Sequence, residues 1–285
     1  MESGRRPAET VTERPVASPT RPSRQHPTRG ITVGHAPSPG WHTGAMSDVV
    51  RPDDEPPPPR DETTAGHAAV VAVILAAGGG RRYGGPTHKL LAELPATQRR
   101  PLETVASRAI AAARQASIGP VVVVTGALDG ERLGLDAARR IDDRRDHADG
   151  DRSDDEPIVV HNPRWADGQM TSVRTGIDAA RRIGADRIVV GLADQPGIEP
   201  DAWRRVAATV AAIAVATYDG RRGNPVALRS DIWPLLPVDG DEGARSIMRL
   251  RPELVVEVAC SGSSHDIDTT EDLRRWQNNS STNSP

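Results

Sequence analysis

The apolar run Val70-Val71-Ala72-Val73-Ile74-Leu75 passes without a break into Ala76-Ala77-Gly78-Gly79-Gly80-Arg81-Arg82-Tyr83-Gly84-Gly85-Pro86-Thr87-His88-Lys89. An uninterrupted apolar segment of this length reads as a strand buried on both faces, so its sheet must be covered by layers on either side. Glycines placed directly after it let the backbone curl with its N–H groups exposed, a concave nest suited to phosphate oxygens. Arg81, Arg82 and Lys89 add positive charge around that nest.

Apolar runs of the same kind recur at Val121–Val124, Ile158–Val160, Ile188–Leu192, Ile213–Thr217 and Leu254–Val258. Helical patterns lie between most of them, at Leu102–Ala116, Thr171–Ile183, Pro200–Ala212, Gly243–Leu250 and Thr270–Trp276. This alternation predicts an α/β fold: a single, mostly parallel, Rossmann-like doubly wound sheet with helices on both faces. Ligands of such sheets bind outside the carboxyl ends of the strands.

The folded domain is expected over residues 68–276. Residues 1–67 are rich in Pro, Arg, Ser and Thr, as in the RPDDEPPPPR of Arg51–Arg60, and read as a disordered tail. Arg139–Glu156 mixes Asp and Arg with almost no apolar residue and reads as a flexible insertion, and 277–285 as a short C-terminal tail. A hydrophobic share of 36% over 285 residues is low for a fully packed globule, in keeping with unfolded segments. The net charge of −3 lacks the basic excess of a nucleic-acid binder. The apolar runs are too short to cross a bilayer, and Cys260, the sole cysteine, permits neither an internal disulfide nor a multi-cysteine zinc site. A cytoplasmic protein without membrane or nucleic-acid partners is the expectation, with Cys260 a small core residue.

Of the 36 basic residues only Lys89 is a lysine. An ammonium is a compact point charge and a guanidinium a broad planar fork, so the two differ most in a tight phosphate site. Other phosphate motifs fail: no glycine directly precedes Lys89 and Leu90 follows it, against the P-loop pattern, and Gly78, Gly80 and Gly84 miss the dinucleotide fingerprint by one residue. A tight strand-to-helix turn remains the structural alternative for the glycines.

Ala193-Asp194-Gln195-Pro196 follows the buried run Ile188–Leu192. A carboxylate there is poorly placed for packing and well placed for a ligand; turn formation before Pro196 is the alternative. Nucleotidyl transfer needs a divalent ion, and Mg²⁺ takes one or two carboxylates plus phosphate oxygens, which makes Asp194 a candidate ligand. Asp266 and Asp268 share a face of a short extended segment before a helix capped by Thr269 or Thr270, and one of them, by preference Asp268, completes the metal site.

With these residues in hand, the chain resembles the MobA-like nucleotidyltransferase family, and within it the molybdenum cofactor cytidylyltransferases, over about Ala68–Trp276. Leu75, Ala76, Ala77 and Gly78, then Arg82, Gly84 and Lys89, match the glycine-loop signature, although Gly85 and Pro86 lengthen the usual spacing. Asn162, Trp165, Gly168, Met170 and Ser172 match a second segment, and Asp194-Gln195-Pro196 a third. Gly223-Asn224-Pro225-Val226, Gly240-Asp241-Glu242-Gly243-Ala244-Arg245 and Asp266-Ile267-Asp268-Thr269 complete the series.

The resemblance implies transfer of CMP from CTP, or of another nucleotide from its triphosphate, to a phosphorylated acceptor such as molybdopterin, with release of pyrophosphate. It implies that Lys89 and Arg82 hold the triphosphate and that Asp194 and Asp268 hold Mg²⁺. Leu75 to Gly80, with Asn162, Gly168 and Ser172, would lie near the nucleotide. Gln195, Asn224, Pro225, Asp241 and Arg245 would face the acceptor, and Ala77 favours cytidine over guanosine. A molybdoenzyme or accessory protein is the implied macromolecular partner. A guanylyl- or sugar-phosphate nucleotidyltransferase and a non-catalytic nucleotide- or pterin-binding accessory protein are the competing expectations. An acceptor phosphate is already ionised at neutral pH, so no general base is needed and His88, His161 and His265 read as structural or peripheral.

Overall fold

The computed structural model describes residues 69–94, 102–135, 139–140 and 156–282. Ten strands are described: β1 (Val70–Ala76), β2 (Glu93–Leu94), β3 (Glu103–Thr104), β4 (Val121–Thr125), β5 (Arg139–Arg140), β6 (Ile158–His161), β7 (Arg187–Leu192), β8 (Ile213–Tyr218), β9 (Arg221–Arg229) and β10 (Val255–Ala259). The helices are α1 (Val105–Gln115), α2 (Gln169–Ile183), α3 (Pro200–Ala208), α4 (Arg245–Leu250) and α5 (Thr270–Thr282). Eight strands form one sheet in the order β10-β8-β9-β7-β1-β4-β6-β5, and β2 and β3 pair separately. β1 lies centrally, parallel to β4 and β7; β9 alone runs antiparallel to its neighbours, β7 and β8.

Alternation along β1 explains why its sequence is apolar throughout. Ala72, Ile74 and Ala76 face a core built with α1 and α3, including Ile110 and Trp203. Val71, Val73 and Leu75 face a second core with α2 and α4, including Ile177 and Met248. Each fully buried Val or Ile contributes roughly 1.5–3 kcal/mol of hydrophobic stabilisation, and β1 supplies Ile74 to the first face and Val71 and Val73 to the second. Among the described residues, no helix is long and apolar enough to cross a membrane.

The expected α/β architecture is present, with several differences, among them the separate β2–β3 pair, whose β3 occupies Glu103–Thr104 at the start of the stretch read as helix. β9 was not anticipated. It joins β8 through Asp219 (φ 49°) and Gly220 (φ 74°), the two consecutive left-handed residues of a tight hairpin turn. Helix α3 stops at Ala208 rather than Ala212, and the buried Arg187 guanidinium donates to the carbonyls of Ala207 in its last turn and of Thr209 and Ala211 beyond it. Helix α5 continues past Trp276 to Thr282, through residues assigned to a tail; Thr269 and Asp272 cap its start reciprocally, and a nucleated helix propagates through polar residues. Arg139–Arg140, placed in the insertion, pairs with β6 as an edge strand. The remainder of that insertion, 141–155, and the N-terminal 1–67 lie outside the described residues.

Candidate active site

The carboxyl ends of β1 and β7 stand side by side, and the loops that leave them carry the charged residues. Residues 263–267 are laced to the loop after β7: Ile267 N–H donates to Asp194 O at 2.9 Å and Ser263 N–H to Gly197 O at 3.0 Å. That lacing brings Asp268 beside Asp194. Between them sits the ammonium of Lys89, with Nζ 2.6 Å from Asp194 Oδ2 and 2.8 Å from Asp268 Oδ1. Arg82 Nη2 reaches Asp268 Oδ2 from outside at 3.0 Å. Burial works against the Lys89 charge, but the two carboxylates outweigh it and hold the ammonium above the ordinary lysine range.

These four side chains close one end of a cavity of about 270 Å³, whose other walls include Leu75, Ala76, Gly78, Gly79, Gly80 and Arg81. Ala77 is buried outside that lining, its carbonyl accepting the Ala127 N–H at 3.0 Å. The cluster therefore joins the glycine nest, the lone lysine and the carboxylate after β7 in one cleft, as the sequence led us to expect.

Among the described residues, Asp194 Oδ1 is buried with no hydrogen-bond partner. An orphaned carboxylate oxygen beside a second carboxylate is a hard-oxygen donor set of the kind Mg²⁺ uses. Among the described residues, no group of three or more His, Cys, Asp or Glu side chains is placed to hold a metal ion. Asp194 and Asp268 are the two carboxylates of the cleft that could contribute to a divalent-cation site, and in this structure both are bound to the Lys89 ammonium.

Several residues grouped with the nucleotide instead build the scaffold. Asn162 and Ser172 are buried; the Asn162 amide donates to Thr171 Oγ1 and Ser172 Oγ, both at 2.9 Å, and its Oδ1 accepts the Arg164 N–H. Neither residue lines the cleft. Gly168, at φ 113°, packs so tightly that a Cβ there would meet the Gly240 carbonyl carbon at 2.6 Å. Asp241, expected to face the acceptor, accepts the Gln169 N–H at 3.1 Å, satisfying a free donor at the start of α2. Sequence pattern marks such positions as important without telling contact from support.

Two supporting side chains carried no assigned role in the sequence: Trp165 figured only in a matched segment, and His88 read as structural or peripheral. Trp165 packs on the glycine loop, where a Cβ on Gly79 would meet its ring at 3.1 Å and one on Gly126 would meet it at 2.7 Å. His88 lies inside the loop's curl, with Nε2 3.1 Å from Gly78 O. A signal for both was available only in the tightness that consecutive glycines permit.

A larger cavity of about 660 Å³ shares Leu75, Arg82, Lys89, Asp194 and Asp268 with the first. Its lining includes aliphatic side chains such as Val173, Val190, Val215, Leu228 and Met248, together with the polar Gln195, Asn224, Arg245 and Asp266. Gln195 Nε2 donates to Ser264 O at 2.9 Å and Asp266 Oδ1 at 2.7 Å, and its Oε1 accepts from Asn224 Nδ2 at 3.0 Å. Burial, reinforced by the Asp194 charge, pushes the Asp266 carboxyl above the usual range, while the Gln195 hydrogen bond pulls the other way. Of the residues expected to face the acceptor, Gln195, Asn224 and Arg245 line the larger cavity, whereas Pro225 and Asp241 do not.

The family described as a MobA-like NTP transferase domain matches residues 72–258. Among curated proteins, purine catabolism protein PucB of Bacillus subtilis (strain 168) is 37% identical over 110 residues, 37% of this chain and 54% of the relative. Nicotine blue oxidoreductase of Paenarthrobacter nicotinovorans is 32% identical over 130 residues, 41% of this chain and 63% of the relative. The matched part thus spans between half and two thirds of each relative's length. Among solved structures, Rv0371c from Mycobacterium tuberculosis H37Rv superposes with a TM-score of 0.55 at 27% identity, covering 74% of this chain and 98% of that one. The same protein in complex with manganese gives a TM-score of 0.51 at 26% identity, covering 74% and 98%.

Proposed function

The chain belongs to the MobA-like NTP transferase family, and from that premise we propose that it transfers CMP from CTP to a terminal phosphate of molybdopterin, releasing pyrophosphate with the help of Mg²⁺. The observation that carries this reading is the ammonium of Lys89 held between Asp194 and Asp268 at the mouth of the glycine loop, 2.6 and 2.8 Å from their oxygens.

The smaller cavity takes the triphosphate. Backbone N–H groups of Gly78 to Gly80 and the charges of Arg82 and Lys89 bind its oxygens and stabilise the negative charge that develops on the leaving pyrophosphate. An acceptor phosphate oxygen, positioned in the larger cavity, attacks the α-phosphorus; the new O–P bond forms as the bond to the β-phosphate oxygen breaks. When bound, Mg²⁺ neutralises phosphate charge, and Asp194 and Asp268 would hold it. The manganese complex of Rv0371c supports a divalent ion in this fold. Support for a pterin-type acceptor is the larger cavity itself, whose aliphatic walls suit a flat heterocycle and whose Arg245 suits its anionic end. Ala77 at the loop supports CTP. The two curated relatives carry names from different chemistries, so neither name decides the acceptor.

The test is pyrophosphate release by the purified protein with each of the four triphosphates, Mg²⁺, and molybdopterin carrying molybdenum. CTP with this acceptor should give the highest turnover. GTP preference would replace the cytidylyl reading with a guanylyl one, and nucleotide binding without pyrophosphate release would make the chain an accessory protein.

A further inference from the structure

The imidazole of His88 packs against the glycine loop and lines neither cavity. Its Nε2 lies 3.1 Å from Gly78 O, and a Cβ on Gly80, whose φ is 59°, would stand only 2.8 Å from that nitrogen. Its Nδ1 accepts the Leu90 N–H at 3.3 Å and so heads the short 3₁₀ turn Lys89–Leu91 that carries the ammonium. Because Nδ1 accepts a backbone N–H, the ring hydrogen belongs on Nε2, which donates to Gly78 O. A neutral ring satisfies both contacts at once. A protonated ring would turn an N–H of its own against that of Leu90. Burial disfavours the charged form and lowers the pKa; the Gly78 carbonyl opposes this, while Lys89 and Arg132 add to it.

We infer that His88 is a positioning residue for the triphosphate: one side chain ties the first glycine of the phosphate nest to the turn that presents Lys89, and so sets the spacing across which the phosphates are gripped. The inference rests on the nucleotidyltransferase reading of the cleft. His88 lines neither cavity, so it acts through the backbone of Gly78–Gly80 and through Lys89 rather than by touching substrate.

The experiment uses the full chain, calorimetric titration with CTP in the presence of Mg²⁺ and without acceptor, and thermal melting without nucleotide. His88→Asn keeps a cap acceptor for Leu90 but is too short to reach Gly78; His88→Gln carries an amide nitrogen long enough to donate there. His88→Asn should melt close to wild type yet bind CTP about tenfold more weakly, the scale of one lost hydrogen bond, and His88→Gln should recover most of that loss. As pH falls below the ordinary histidine range, wild type should lose CTP affinity faster than His88→Gln, which cannot titrate; Lys89 and Arg132 are the charges facing the ring. CTP affinity in His88→Asn equal to wild type overturns the inference while leaving the nucleotidyltransferase reading in place. Should His88→Asn not fold, parallel pH curves for wild type and His88→Gln overturn it instead. A wild type that binds no nucleoside triphosphate overturns both.

Discussion

Lys89 and Arg82 both bring positive charge to Asp268, but the side chain of Lys89 is 11% exposed and that of Arg82 80% exposed. An exposed ion pair is screened and weak, so on the proposed reading Arg82 would leave Asp268 for an incoming phosphate at little cost, whereas Lys89 is a fixed part of the cleft. Lys89→Ala and Asp194→Ala should each lower turnover at least about 100-fold, and Arg82→Ala clearly less. Steady-state kinetics on folded variants checks the order; an Arg82 variant as damaged as the Lys89 one contradicts it. Lys89→Arg should not rescue, because a planar fork does not fit between two carboxylates spaced for a point charge. The raised pKa of Lys89 fixes the sign of its pH dependence. Its ion pairs contribute fully below the unfolded lysine value and are lost only as pH rises through the higher folded value, above 10.5, so melting measured across neutral pH should show no step from this group. At this scale the sequence was informative where a residue type was rare or oddly placed: a single lysine and a carboxylate beyond a buried strand pointed into one cleft. It was less informative where side chains support the fold: Asn162, grouped with the nucleotide, bonds Thr171, Ser172 and the Arg164 N–H, because a hydrogen bond between buried neighbours leaves no trace in spacing.

At the scale of elements, the parallel strands were legible because each is buried on both faces and must be apolar throughout. β9 was not, for a physical reason. It opens with Arg221 and Arg222 and contains Pro225, which argues against a central strand. Pairing with β7 ends at Val190–Val226, and pairing with β8 shifts register between Val215 and Thr217, so Pro225 lies where the ladder is already interrupted. The Asp219-Gly220 turn was the available signal for the hairpin. Position matters here, because the start of β9 delivers Asn224 to the wall of the larger cavity. The loop before α4 is placed comparably: Met170 N–H donates to Gly240 O at 2.9 Å and Asp241 accepts from Gln169, so the start of α2 anchors the segment leading to Arg245. Gly168→Ala should strain a φ of 113° and drive a methyl into Gly240, costing roughly 1–3 kcal/mol or more. A lowered melting temperature with a raised KM for the acceptor and an unchanged KM for CTP is the expected pattern; equal effects on both substrates would show that the loop does not serve the acceptor side.

On the scale of the whole molecule, one sheet with a core on each face gathers, at the carboxyl ends of its central strands β1 and β7, their loops, the start of β9 and the segment before α5. No single element holds the site, so ligand binding should stabilise the domain as a unit. Saturation with CTP and Mg²⁺ at about 100 times the Kd corresponds to about 2.7 kcal/mol and should raise the melting temperature. The account depends on a triphosphate and a divalent cation sharing the space around Lys89, Asp194 and Asp268. Calorimetric titration of CTP into the full chain, with Mg²⁺ or with EDTA, for wild type and Asp194→Asn, measures that dependence without any acceptor. We expect binding to wild type with Mg²⁺ and at least about tenfold weaker binding both on chelation and in the variant. CTP binding of equal strength under all of these conditions would contradict the shared nucleotide and metal site.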